Sequence, residues 1–261
     1  MSKEPLSLDV ADGIATITIN RPEKRNAMSL EMWRMMGQLV GTAARDPAVL
    51  SLILRGVDST AFAAGADIEE MLGIADSDDA RWGLMNAVRG AEQSLSDCPK
   101  PVIAMINGIC IGGGVELALG CDLRFAARNA RFAVPPAKLG LVYSLSSTKR
   151  LIELVGLGRT RDLLYSARTI DSSEALRIGF VERVFADADL ERETFEYARI
   201  LASRSQYSIR AAKSVSAAAL SGASDEDEPI RRIRGDAFLG DDLKEGLSAF
   251  VAKRPPRFTW R

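Results

Sequence analysis

Two glycine-rich segments hold the residue types from which an anion-stabilising, proton-moving site can be built. They are Ala61-Phe62-Ala63-Ala64-Gly65-Ala66-Asp67 and Asn107-Gly108-Ile109-Cys110-Ile111-Gly112-Gly113-Gly114-Val115-Glu116-Leu117. Each follows an apolar run rich in β formers and leads into a helical pattern, so each can leave backbone N–H groups unpaired at a helix start, where negative charge is stabilised. Two such loops together can form an oxyanion hole. Glu116 lies three residues beyond Gly113, about 4.5 Å along a helix. Helical side chains lean toward the N-terminus, so its carboxyl points back at whatever the amides hold. Three glycines before a helix more often mean a tight turn or close packing than chemistry. The pairing of two loops with one carboxylate is what raises the chemical reading above that.

The rest of the composition narrows the choices. Histidine is absent, so Ser-His-Asp and Cys-His catalysis and His-containing zinc sites cannot be assembled. Cys98, Cys110 and Cys121 lack zinc-like spacing and fit reduced thiols. The 34 basic residues nearly balance the 35 acidic ones, which gives no electrostatic support to nucleic acid or an anionic membrane as a partner. The local run Arg231-Arg232-Ile233-Arg234 reads as a solvated helix face. Met1 to Val10 has no apolar signal stretch and no run reaches the length of a membrane span, so the expected location is the cytoplasm. At 261 residues and 47% hydrophobic content, the chain can bury one large core plus an appendage.

The elements that must position the two loops follow from local patterns. Leu6–Val10 and Ile14–Ile19 read as a hairpin across Asp12-Gly13. Ser29 caps a helix to about Ala44, with Asp46-Pro47 as its break. A strand over Val49–Arg55 leads to the first loop, and a polar break at Asp76–Asp79 precedes a helix over Ala80–Leu95. Pro101 opens the strand Val102–Ile106, which delivers the second loop. Further strands are expected at Leu123–Ala127 and Phe180–Val184, with helices at Thr148–Val155 and Arg159–Tyr165 between them. Asp171 with Glu174 resembles a capping box for a helix that Gly179 ends. Beyond Asp187 the pattern is nearly all helical, and the best boundary falls near Ser203–Gln206. That divides the chain into a core, residues 1–203, and a C-terminal helical region, residues 204–261.

Five ordered motifs resemble the crotonase family, also called the enoyl-CoA hydratase/isomerase superfamily. They are Asn20 to Met28, Phe62 to Ile68, Lys100 to Ala104, Asn107 to Leu117 with Cys121-Asp122-Leu123, and Glu245 to Phe250. The resemblance implies an α/β spiral of strand–strand–helix units, a C-terminal helical region that packs in trimers or paired trimers, and an acyl-CoA thioester as substrate. No separate cofactor is expected, since coenzyme A enters with the substrate, and no metal. By the same resemblance, the N–H groups of Ala66 and Gly113 hold the thioester oxygen and Glu116 is the catalytic carboxylate. Coenzyme A contacts are expected from Ala64, Ala66, Asp67 and Ile68, with Lys24 or Arg25 near the phosphates and Phe250 and Lys253 closing a neighbouring subunit's site. Glu69 stands where some hydratases carry a basic residue.

The chain departs from the two-glutamate hydratase pattern in one place. Aligning Phe132 to Gly140 puts Pro136 where those hydratases have their second glutamate. Tyr143 falls where a decarboxylase branch has a tyrosine, although the histidine that often accompanies it is replaced by Ala66. Tyr143 is therefore either a catalytic hydroxyl or a pocket wall. The expected activity is an enoyl-CoA hydratase-like lyase. The alternatives are an acyl-CoA decarboxylase, which needs an enolate hole and a proton donor but no activated water, and a non-catalytic acyl-CoA-binding homologue. An isomerase lacks an evident shuttle carboxylate.

Overall fold

The structure, a computed structural model, describes residues 4–259; Met1–Lys3 and Trp260–Arg261, the outermost residues of the two regions delimited above, lie outside the described residues. The chain opens with β1 (Leu6–Ala11) and β2 (Ile14–Ile19), antiparallel across Asp12 and Gly13. Both turn residues have positive φ, 52° and 77°, as a two-residue hairpin with the native strand twist requires. Helix α1 (Leu30–Arg45) begins where the Ser29 hydroxyl accepts from the Met32 amide. Such a cap contributes about 1 kcal/mol. At the other end of α1, the buried Lys100 ammonium donates to the carbonyls of Ala43 and Asp46, at 2.8 and 2.5 Å.

From there the chain repeats one unit. It runs through β3 (Ser51–Gly56), β4 (Ala61–Ala63), α2 (Ile68–Gly73) and α3 (Asp78–Asp97). Next come β5 (Val102–Ile106), β6 (Ile109–Ile111) and α4 (Gly113–Gly120), then β7 (Leu123–Ala127), β8 (Arg131–Ala133) and the helices α5 (Pro136–Leu139), α6 (Leu145–Val155) and α7 (Leu157–Ser166). Each turn gives one strand to each of two sheets and then a helix. β9 (Thr169–Asp171), α8 (Ser172–Ile178) and β10 (Arg183–Phe185) complete the sheets, and α9 (Leu190–Ala202) follows. Among the described residues the first sheet has the order β1-β2-β3-β5-β7-β10, parallel except for β1, and the second β4-β6-β8-β9, parallel except for β9.

Two-residue periodicity explains the layers. In β3, Leu52 and Leu54 face the main core with Trp33, Met36 and Phe62, whereas Ile53 faces the opposite side with Ile103 and Phe125, which α9 covers through Leu190 and Ala198. Both faces of the sheet are thus covered, as a parallel sheet demands. The C-terminal helices α10 (Gln206–Leu220), α11 (Glu228–Leu239) and α12 (Asp241–Val251) follow. They leave Phe238, Leu239, Leu247, Phe250 and Val251 largely exposed.

Some boundaries differ from the sequence expectation. The long helix starts at Asp78 rather than Ala80, because Ser77 within the polar stretch caps it. Phe180 and Val181 are buried but not strand: the Arg124 guanidinium takes the Phe180 carbonyl, and pairing with β7 begins only at Arg183. Asp171 does cap α8, but Glu174 turns to the Arg168 guanidinium, so only half of the box forms.

Candidate active site

β4 and β6 are parallel neighbours in the second sheet, so the two glycine-rich loops leave adjacent strands at their C-terminal ends, where open α/β sheets bind ligands. Their approach is close enough to exclude side chains. A Cβ on Gly65, whose φ is +99°, would lie 3.0 Å from the Ile111 carbonyl oxygen and 3.2 Å from the Gly113 nitrogen. One on Gly114 would lie 2.2 Å from the Ala63 carbonyl oxygen. The Met28 amide donates to Gly65 at 2.7 Å and the Asp67 amide to Met28 at 2.9 Å, a one-residue parallel bridge that uses the groups flanking Ala66. The N–H of Ala66 itself then points the other way. Gly113 is the first residue of α4, where amides have no intrahelical acceptor. Among the described residues, no backbone hydrogen bond takes up either amide.

Glu116, in the first turn of α4, is half-buried as a residue, but its carboxyl is enclosed by protein. Burial first, and then the negative charge of Glu92, push this carboxyl up to about 8 against an opposing hydrogen bond with Ser147. It is in its acid form at neutral pH. The helix that carries it is held at its far end by Arg124, whose guanidinium donates to the carbonyls of Ala118 and Cys121 and pairs with Glu182.

Tyr143 reaches the same place. Its hydroxyl donates to the Gly112 carbonyl at 2.7 Å, next to the Gly113 amide, and burial holds it well above the ordinary tyrosine value. The phenolic proton is therefore committed to bracing the oxyanion loop. Pro136 is buried at the start of α5 and supplies no titratable group, while Pro135 packs 3.8 Å from where a Gly112 Cβ would stand.

The other expected binding residues divide. Ala64 donates to the Arg25 carbonyl at 3.1 Å, which ties the first loop to the Asn20 to Met28 motif. Asn26, fully buried, donates from its amide to the Ala61 carbonyl at 2.6 Å. Burial pushes the Asp67 carboxyl up, but Arg21 at 2.7 Å and the amides of Glu70 and Glu69 hold it below its ordinary value. That side chain caps α2, and its backbone is also taken: the amide donates to Met28 and the carbonyl accepts from the Met71 amide. Ile68 is exposed beside it. Lys24 is ion-paired with Glu69, so the acidic residue at that position is matched by a cation from the neighbouring motif. Phe250 and Lys253 are expected at a neighbouring subunit's site; within one chain Phe250 lines a hollow among α10, α11 and α12 with Phe238, Leu247 and Phe258.

Three participants were not legible as site residues. Glu92 on α3 is 1% exposed, and Ser147 and Arg150 on α6 converge on it. The available signal was a glutamate at the helical spacing of Leu84, Val88, Ala91 and Leu95, since a charge on an apolar stripe must find a partner.

A family model for enoyl-CoA hydratase/isomerase matches residues 9–261. The chain is 36% identical to a crotonyl-CoA hydratase of Syntrophomonas wolfei, over 99% of each chain, and 34% identical to a short-chain-enoyl-CoA hydratase of Clostridium acetobutylicum, over 92% of each. A solved structure from Hyphomonas neptunium superposes with a TM-score of 0.95 at 39% identity, covering 98% of both chains. The fold, the paired loops and these relatives define a crotonase-fold enzyme. The chain belongs to the enoyl-CoA hydratase/isomerase family.

Proposed function

We propose that this protein is an enoyl-CoA hydratase-like lyase that binds the thioester oxygen of a 2-enoyl-CoA between the amides of Ala66 and Gly113. The observation that carries the reading is the meeting of two unpaired loop amides with the enclosed carboxyl of Glu116. The water oxygen adds to the β carbon, and the displaced electron pair moves onto the thioester oxygen. Glu116 gives its proton to the α carbon as the enolate collapses, and the proton released by the added water returns to Glu116. Each preorganised amide is worth about 2.7–4 kcal/mol at the transition state. No cofactor is required beyond the coenzyme A of the substrate. Its phosphates fall to Lys24 or Arg25, and its remaining contacts to backbone around Ala64, Ala66 and Ile68. Tyr143 serves as a brace for the oxyanion loop.

The exposed apolar side chains of α11 and α12 support a homotrimer or a dimer of trimers, in which Phe250 and Lys253 reach a neighbour's coenzyme A. Among the described residues no helix is long and apolar enough to cross a membrane, and the described cysteines are all unpaired and buried. These features support a cytoplasmic enzyme. Decarboxylation is the second reading, favoured by Pro136: an enolate left by loss of carbon dioxide needs only the acid form of Glu116.

A panel of CoA thioesters read by mass spectrometry tests the proposal, with a gain of water expected for crotonyl-CoA. Loss of carbon dioxide from malonyl- or methylmalonyl-CoA would replace it with the second reading, and no change in any thioester would leave a binding protein. Pro136→Glu is expected to raise hydration, because it restores a second carboxylate where the loop already has a helix start. A fall in hydration with a folded protein would show the site to be tuned to one carboxyl at this wall. An unreactive acyl-CoA thioether at about 100 times its Kd should stabilise the fold by about 2.7 kcal/mol, a rise in Tm of about 5 °C. An unchanged Tm at saturation would overturn the thioester reading.

A further inference from the structure

Each of the two oxyanion donors belongs to a peptide unit whose carbonyl is hydrogen-bonded from behind. The unit that carries the Ala66 N–H has the Gly65 carbonyl at its other end, and that oxygen accepts from the Met28 amide at 2.7 Å. The unit that carries the Gly113 N–H has the Gly112 carbonyl at its other end. This oxygen accepts twice, from the Glu116 amide at 3.1 Å and from the Tyr143 hydroxyl at 2.7 Å. Among the described residues no peptide is cis, so in both units the carbonyl and the N–H point in opposite directions. Of the groups that donate from behind, Tyr143 alone is a side chain.

The loops deliver that hydroxyl from two sides. Gly112 has φ 55° and ψ −118°, a conformation that favours glycine, and its own amide donates to the Ala133 carbonyl at 3.0 Å. Tyr143 directly precedes Ser144, whose hydroxyl caps α6 by accepting from the Ser147 amide at 3.0 Å. Before it, Gly140 turns the chain out of α5 with φ 69°, and the Leu141 amide donates to the Pro136 carbonyl at 2.9 Å. The segment that has no glutamate at Pro136 thus ends in a phenol fixed behind the Gly113 donor.

Peptide resonance links the two ends of the unit. When a thioester oxygen gains charge and draws on the Gly113 N–H, electron density moves across the C–N bond onto the Gly112 oxygen, which becomes a better acceptor. We propose that Tyr143 is a positioning residue that strengthens the Gly113 oxyanion donor through the Gly112–Gly113 peptide, its bond to the Gly112 carbonyl tightening as the enolate forms. No proton changes owner in this step. A brace would hold the peptide plane whatever the donor strength of the phenol, whereas this role scales with it.

The inference rests on the thioester oxygen lying between Ala66 and Gly113, so its test reads that oxygen. Butyryl-CoA has no double bond to hydrate, and carbon-13 at its thioester carbonyl lets infrared difference spectra of the full-length protein pick out one stretch. Binding to the wild type should lower that stretch, because hydrogen-bond donors polarise the carbonyl. Replacing Tyr143 by 3-fluorotyrosine and then by 3,5-difluorotyrosine keeps the ring in place and makes the phenol a progressively stronger donor. The stretch should fall further in that order, with kcat on crotonyl-CoA rising. Measurements below neutral pH keep every phenol of the series protonated, helped by the burial that holds this hydroxyl well above the ordinary value. Tyr143→Phe should move the stretch back toward that of free butyryl-CoA and lower kcat about threefold to tenfold, the worth of one neutral hydrogen bond, with KM within about twofold. If Tyr143→Phe does not fold, the fluorinated pair decides. Equal stretches for tyrosine and both fluorinated forms would reduce Tyr143 to a brace and overturn the inference alone. A bound thioester whose stretch is not lowered in the wild type would overturn it together with the reading beneath it.

Discussion

Glu116→Gln is expected to lower turnover of the correct thioester by about 10²-fold or more while making the protein more stable above neutral pH. Glutamine keeps the shape and the hydrogen bonds but carries no proton to the α carbon. The stability effect has the opposite sign for a physical reason. The folded carboxyl is pushed up to about 8 from an ordinary value of 4.5, so between those limits the folded state keeps a proton that the unfolded chain has lost. Stability from this group is therefore full below about 4.5 and falls as pH rises toward 8, above which the buried charge beside Glu92 stands uncompensated. The amide removes that cost, on the order of a few kcal/mol at pH 8 and above. Thermal melts of both proteins from pH 5 to 9 check it: the variant should gain on the wild type as pH rises. A constant gap would mean that Glu116 titrates normally, and unchanged turnover would move the proton carrier elsewhere, with Tyr143 the next candidate.

The same carboxyl sets the rate profile. An acid-form Glu116 that delivers the proton predicts activity that declines as pH rises through about 8. A base working from its charged form would instead gain over that interval.

Much of this site was legible in the sequence because its chemistry is local. Gly65 and Gly112–Gly114 announce backbone donors where strands end, and the three-residue step to Glu116 is fixed by helix geometry. Ser29 and Asp171 mark helix starts by side-chain bonds that span only three residues. The second sheet was not legible, for β4, β6, β8 and β9 have three residues each and a two-residue period needs more to show itself. That sheet is what makes the two loops neighbours. Glu92 was hidden for another reason: Ser147 and Arg150, which satisfy it, lie 55 and 58 residues away, and only the packing of α3, α4 and α6 joins them. Phe250 is a different case: the motif match assigns it to a neighbouring subunit's site, and in one chain it lies on an exposed helical face.

Gly113→Ala should cost about 10²–10³ in turnover, the worth of one oxyanion donor, through a displacement that the structure specifies. The new Cβ would lie 2.8 Å from Cζ2 and 3.0 Å from Cη2 of Trp33. That ring is 1% exposed and packed in the main core with Met32 and Met36, so moving it disturbs close packing. The start of α4 must give instead, carrying the Gly113 amide away from the thioester oxygen, and a shift of a few tenths of an ångström is enough to weaken a donor that acts only at the transition state. Trp33→Phe removes both offending atoms, so the double variant should regain a large part of the lost turnover even though Trp33→Phe alone leaves a cavity and lowers Tm. Turnover, KM and Tm across the four proteins separate the causes. Recovery of kcat in a less stable double variant identifies amide placement as the defect. Losses that simply multiply would show that Gly113 is needed for its backbone conformation and not for its clearance from the indole.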